Sequence, residues 1–149
     1  MTKWPLIALF SVALIAAGKP TQEDVSAELK KLQGTWRLVD EFDDGIRTPA
    51  GEAGKDKLIF EVTGKWKVES DGKVVGEGTA TLDPTKRPKT IDYVLTVGAA
   101  AGTKFVAIYE LDGDSFRHCG VLKGNRPTEF SSKPGSGQIL TMFRREKKE

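Results

Sequence analysis

Two short turns, Asp71-Gly72 and Asp112-Gly113-Asp114, each stand between runs in which apolar residues alternate with polar ones. No other feature constrains the fold as much. Asp-Gly supplies the backbone angles of a tight hairpin. Alternation with period two buries one face of a strand and leaves the other wet. Strands joined by tight turns lie side by side and run antiparallel. The pattern predicts an antiparallel meander.

Eight strands are expected, at about 36–42, 58–62, 66–69, 73–82, 90–97, 104–111, 115–121 and 138–145. Residues 45–55, with Pro49, Gly51 and Gly54, read as a loop. Gly64-Lys65 reads as a further hairpin, and Gly76 with Gly78 as a bend or bulge. Ile91, Tyr93, Leu95 and Val97 share a face of the fifth strand; Phe105, Ala107, Tyr109 and Leu111 share a face of the sixth. A meander of this size loses both edges by closing on itself. The expected fold is therefore all-β, an eight-stranded antiparallel up-and-down barrel, with a two-sheet sandwich as the alternative.

Upstream, Thr21 precedes Glu23 and Asp24, the pattern of a helix start. Val25, Leu29 and Leu32 follow at i, i+4 and i+7, giving a short N-terminal helix with one narrow apolar face. It should plug or cross one end of the barrel, with Gly34 ending it. Earlier still, Lys3 precedes residues 6–17, twelve residues of which only Ser11 is polar. Spanning a bilayer takes about 20 apolar residues. The short run followed by Ala16-Ala17-Gly18 reads as a secretory signal peptide. The chain thus divides into a signal peptide (1–18), a linker and short helix (19–31) and a barrel domain (32–146). Export to the periplasm or beyond is expected. No cysteine follows the apolar run, so no membrane anchor is expected after cleavage.

Cys119 is the single cysteine, so no intramolecular disulfide can form and the core must hold the fold. A mature chain of about 130 residues is long enough for that, and Cys119 itself should be buried as a small hydrophobe. Without Lys3 the charges are 22 basic against 21 acidic, a balance that leaves no footprint for nucleic acid. Arg144, Arg145, Lys147 and Lys148 alternate with Glu146 and Glu149 and read as a solvated end.

Catalytic and metal-binding chemistry find little support. His118 and Cys119 are adjacent in a strand, so their side chains face opposite ways and form no dyad. No second histidine completes a zinc site. Asp112-Gly113-Asp114 lacks the ligand spacing of a calcium loop, and Gly135-Ser136-Gly137 lacks the Lys and following helix of a phosphate loop. Asp40, Glu41, Asp43 and Asp44 neighbour one another only in sequence. No cofactor and no metal are expected. Residues 123–137 form a long loop holding Arg126, Glu129 and Phe130, and loops of this length are often functional. Two readings stand: Arg126 pairs with Glu129 or a strand carboxylate while Phe130 packs into the mouth, or the loop covers the mouth and Arg126 faces an anionic group.

Leu32-Gln33-Gly34-Thr35-Trp36, Leu82-Asp83-Pro84 with Pro88-Lys89-Thr90-Ile91-Asp92, Tyr109-Glu110-Leu111-Asp112-Gly113-Asp114 and Arg126-Pro127-Thr128-Glu129-Phe130 stand in that order. Together they resemble the small uncharacterised lipocalin-like domain expanded in planctomycete bacteria, over about residues 28–146. The resemblance implies a lipocalin-like β-barrel in an extracytoplasmic setting and carries no established activity. Gly34-Thr35-Trp36 also resembles the Gly-x-Trp opening of lipocalins proper, whose tryptophan packs under a basic residue from the end of the barrel. Arg144 or Arg145 would fill that role.

Eight strands enclose either packed side chains or one small ligand. The expected function is non-enzymatic binding of a small apolar or amphipathic ligand by a monomer. Trp66, Tyr93, Phe105, Tyr109, Phe116 and His118 are the candidate lining residues, and Arg126 the candidate polar contact. The alternative is an extracytoplasmic module that binds a protein or envelope polymer with its barrel filled. A hydrolase or isomerase using His118 with a strand carboxylate stands third.

Overall fold

Thr21 caps α1 (Gln22–Leu32), the one helix among the described residues. Its hydroxyl accepts from the Asp24 amide while the Asp24 carboxylate accepts from the Thr21 amide, which satisfies two donors that helix geometry leaves open. Leu29 and Leu32 are buried and Val25 packs beside them. The Gln33 amide bonds the Leu29 carbonyl, and Gly34 takes φ +125°. Few side chains tolerate that angle, so glycine lets the chain swing directly from helix into strand. This computed structural model describes residues 18–49 and 55–148; the expected signal peptide, apart from Gly18, lies outside them.

The strands are β1 (Gly34–Asp43), β2 (Ile46–Pro49), β3 (Lys57–Phe60), β4 (Lys65–Ser70), β5 (Lys73–Asp83), β6 (Lys89–Leu95), β7 (Lys104–Asp112), β8 (Ser115–Val121) and β9 (Ile139–Arg145). Sequential neighbours pair antiparallel from β3 to β9. β1 pairs with β3 on one side and β9 on the other. The chain is thus all-β, a closed eight-stranded antiparallel lipocalin-like barrel with one short helix. β2 is additional, and it lies where a loop is expected. It pairs with Asp40 to Asp43 of β1, while β3 pairs with Gly34 to Arg37. Ile46, Arg47 and Pro49 are exposed, so β2 buries no face and carries no alternation to read. Backbone pairing holds it, with the Arg47 guanidinium donating to both oxygens of Asp40 at 2.9–3.1 Å.

Several boundaries also move. β3 ends at Phe60, and Val62 is exposed. The turn is Glu61 to Gly64, with Gly64 at φ +86°, so Lys65 belongs to β4. β6 ends at Leu95 and Val97 is exposed, off the face that Ile91 and Tyr93 share. Asp71 and Gly72 do take positive φ, as their hairpin requires. The extra residue of β5 is Val75, beside Gly76.

The topology gives the barrel two unlike ends. α1 and the turns at 61–64, 84–88 and 113–114 lie at the base; those at 44–45, 71–72, 96–103 and 122–138 lie at the mouth. The base is closed around Trp36, which is wholly buried. Its indole N–H donates to the Leu32 carbonyl at 2.8 Å. The Arg145 guanidinium lies 4.2 Å above the ring and donates to the carbonyls of Gln33 and Lys31 at 2.7 and 2.6 Å. Arg145 is therefore the basic partner of the tryptophan and no part of a solvated tail. Beside it, buried Glu28 accepts from Lys89 at 2.7 Å and Tyr109 at 3.0 Å. Burial alone would raise the Glu28 carboxyl, but these two hydrogen bonds, with the charges of Lys89 and Lys31, hold it below the ordinary range.

The long loop does not cover the mouth. It lies on the outer wall, where Ile108, Cys119 and Leu140 form a second cluster with Phe42, Phe130 and Met142. Phe130 sits under the Arg117 guanidinium at 4.0 Å. Arg126 pairs with Asp92 and donates to the Ala107 carbonyl at 2.8 Å. The pairing with a strand carboxylate thus holds, but Phe130 packs outside the barrel because outward-facing Ile108 and Leu140 offer it an apolar bed. Cys119 is buried there, its thiol 3.2 Å from the Ser131 carbonyl.

Candidate functional site

β1 carries one extra residue. Leu38 pairs with Phe143, and the next pair is Asp40 with Met142, leaving Val39 unmatched. A bulge shifts the alternation of a strand by one. Trp36 and Leu38 point inward, but beyond the bulge Glu41 takes the inward place and Phe42 joins the outer cluster. Thr141 is then opposite Glu41 on one side and His118 on the other. Three polar side chains on β8, β9 and β1 form a row across the inner wall.

That row borders a cavity of about 290 Å³ in the mouth half of the barrel, the small end of the range of roughly 300–1,000 Å³ for ligand pockets. Leu38, Leu58, Trp66, Val68, Phe105 and Phe143 give it apolar walls; Tyr93, His118, Thr141, Glu41 and Asp56 supply the polar groups. Glycines make the room. A Cβ at Gly120 would meet the Phe105 ring at 2.6 Å, and one at Gly78 would meet Trp66 at 2.9 Å and overlap the Val94 carbonyl. The two rings occupy the space those side chains would fill.

His118 is only 9% exposed. Tyr93, Phe105, Phe116 and Phe143 surround it with ring centroids 5.3–5.7 Å away. Its Nδ1 shares a hydrogen bond of 2.9 Å with the Tyr93 hydroxyl. Burial lowers its pKa to about 3, so the ring is neutral at ordinary pH. Burial likewise pushes the Tyr93 hydroxyl up. Among the described residues Nε2 has no hydrogen-bond partner, and the indole N–H of Trp66 is buried without one.

Glu41 and Asp56 stand in the more exposed part of the wall. Burial raises the Glu41 carboxyl; the Thr141 hydroxyl, donating at 3.3 Å, lowers it, and the charges of Asp43 and Asp56 raise it again. Asp56 accepts from Ser70. Neither carboxylate has a basic partner among the described residues. Lys57 also reaches the cavity, but its ammonium is held by Glu146 at 3.0 Å.

Of the residues singled out in the sequence, Trp66, Tyr93, Phe105 and His118 line the cavity. Three do not. Phe116 is buried in the filled half, against Trp36, Phe60 and Phe143. Tyr109 is at the base, its hydroxyl committed to Glu28. Arg126 is on the outer wall with Asp92. An inward position is needed for lining, but only the mouth half is hollow. Glu41, Asp56 and Thr141 are the polar lining residues that alternation alone misses; for Glu41 the unread signal is the bulge at Val39. His118 faces inward and Cys119 outward, so these two neighbours belong to different environments. The arrangement suits reversible binding: apolar walls, neutral hydrogen-bonding groups inside and two carboxylates nearer the opening. No protein-family model, curated protein or solved structure matches this chain.

Proposed function

We propose that this protein is an exported, non-enzymatic binding barrel that takes one small apolar or amphipathic molecule into its mouth half. The observation that carries the reading is the cavity itself, about 290 Å³ with mostly apolar walls, above a base that is fully packed. A barrel serving only as a scaffold has no need of that hollow, since filling it with side chains would add stability. The placement of neutral His118 among aromatic rings also favours recognition over proton transfer, because a base with a pKa of about 3 is poorly matched to neutral pH. The extracytoplasmic setting rests on the apolar start of the chain.

The test is a titration of 4-ethylphenol followed by amide chemical shifts. Shifts should concentrate on β4, β6 and β8 around the cavity. Val68→Phe, which fills the hollow, should weaken binding by about tenfold or more with the fold unchanged. Shifts confined to the outer surface, or unchanged affinity in Val68→Phe, would overturn the reading. An interaction module has one observation of its own: Ile46, Val74, Val75, Val97 and Leu122 are exposed, and all stand at the mouth end. On that reading, charged substitutions at Val75 and Val97 abolish capture of an envelope component and leave 4-ethylphenol binding intact.

A further inference from the structure

The polar groups of the cavity are unevenly distributed. Glu41 and Asp56 bring two carboxylates to one side of it, and no described basic residue answers either. Among the described residues the one cation that reaches the cavity, Lys57, is held by Glu146. Deeper in, His118 is nine-tenths buried and lines the same cavity with Nε2 unpartnered. Nε2 is open to the cavity and not buried against protein, so it is free to bond a guest or a water there. A carboxylate pair left without a cation in a half-buried wall carries a demand of its own, since like charges repel and opposite charge relieves them. The two demands differ in sign and place: positive charge near the opening, a neutral hydrogen-bonding group inside.

We infer that the cavity selects small amines. The ligand carries an ammonium group that sits between Glu41 and Asp56, an aromatic or apolar body held by Trp66, Val68 and Phe105, and a hydroxyl or carbonyl oxygen that reaches His118. This rests on the ligand-binding reading above and narrows it to a chemical class. Aromatic walls suit the choice further, because ring faces attract cations. An anionic ligand is disfavoured, since its charge would face two carboxylates.

Three probes with one body separate the terms: tyramine (cation), 4-ethylphenol (neutral) and 3-(4-hydroxyphenyl)propionate (anion). Calorimetry on the wild-type protein should show tyramine binding at least about tenfold more tightly than 4-ethylphenol, with the anion weakest. Glu41→Gln combined with Asp56→Asn should bring tyramine to within about threefold of 4-ethylphenol measured on the same variant. Phenethylamine, which lacks the hydroxyl, should lose affinity relative to tyramine in the wild type but not in His118→Phe. If 4-ethylphenol binds and tyramine binds no better, selection for amines is wrong while the binding barrel stands. If the anion binds best, the electrostatic argument is reversed and fails. If no probe binds, both readings fall. The wild-type comparison needs no variant, so a substitution that disturbs folding does not blunt the test.

Discussion

Trp36 and Arg145 work as a clasp. The indole closes the base of the barrel while the guanidinium lies over it and takes up two carbonyls at the end of α1. Trp36→Ala should cost about 3–5 kcal/mol, the range for a large buried aromatic; an unchanged urea midpoint would contradict this. Arg145→Met keeps an apolar stem but leaves both carbonyls to water and loses the ring contact. A loss of about 1–3 kcal/mol is expected in the same assay. His118 gives a pH dependence whose sign follows from its depressed pKa. Between its ordinary 6.5 and its folded value of about 3 the unfolded chain binds a proton that the folded chain refuses. Stability is therefore full above 6.5 and falls as pH drops through that window. Glu41, raised by burial, acts in the opposite direction just above its ordinary 4.5, because there the folded state holds the extra proton. The contrast with His118→Gln isolates the histidine. Wild type should lose on the order of 2–3 kcal/mol more than the variant between about pH 6.5 and 4. Parallel curves from urea unfolding would show that His118 is not neutral and buried.

Among the elements, those with one wet and one buried face were legible. β4 through β8 follow alternation and turn chemistry, each keeping an inward apolar row and ending near a turn marked by Gly or Pro, although β7 and β8 also bury Ile108 and Cys119 on their outer face. β2 was not, because it buries no face and shows no alternation, although its partner is the adjacent end of β1 across the Asp44-Gly45 turn. The second half of β1 was misleading for a different reason. Asp40-Glu41-Phe42-Asp43-Asp44 contains one apolar residue among four acids, and only the pairing with β9 reveals that Val39 is extra. Part of the candidate site was legible accordingly: Trp66, Tyr93, Phe105 and His118 through periodicity, but not Glu41 or Asp56. The loop at 122–138 shows the same limit. Its need for an apolar anchor was readable in Phe130, but its bed, Ile108 and Leu140, lies on outward faces that alternation marks as wet. Arg126→Ala should lower stability by about 1 kcal/mol, the pair with Asp92 being partly solvated, with 4-ethylphenol affinity unchanged. Reduced affinity at constant stability would return Arg126 to the site. Gly78→Ala should cost about 1–3 kcal/mol or more, because its Cβ overlaps the Val94 carbonyl across the β5–β6 ladder; a neutral effect on thermal unfolding would refute the close approach.

For the whole molecule, export is the prediction that the chain itself supplies. N-terminal sequencing of the extracytoplasmic protein should find a start at Gly18 or Lys19; an intact Met1 would refute it. The split between a packed base and a hollow mouth has a consequence for how such a protein changes over time. Stability is concentrated in Trp36, Arg145, Glu28, Phe60 and Phe116, none of which lines the cavity, with Phe143 shared between the packed base and the cavity wall. On the proposed reading, most residues that would meet a guest therefore lie apart from those that keep the chain above its folding threshold. On that reading, replacements at Glu41 or Asp56 would alter what is taken up while drawing little on the reserve that holds the fold, whereas Trp66 and Val68 also pack against the core. One base can in this way serve a lineage of barrels whose mouths diverge in taste.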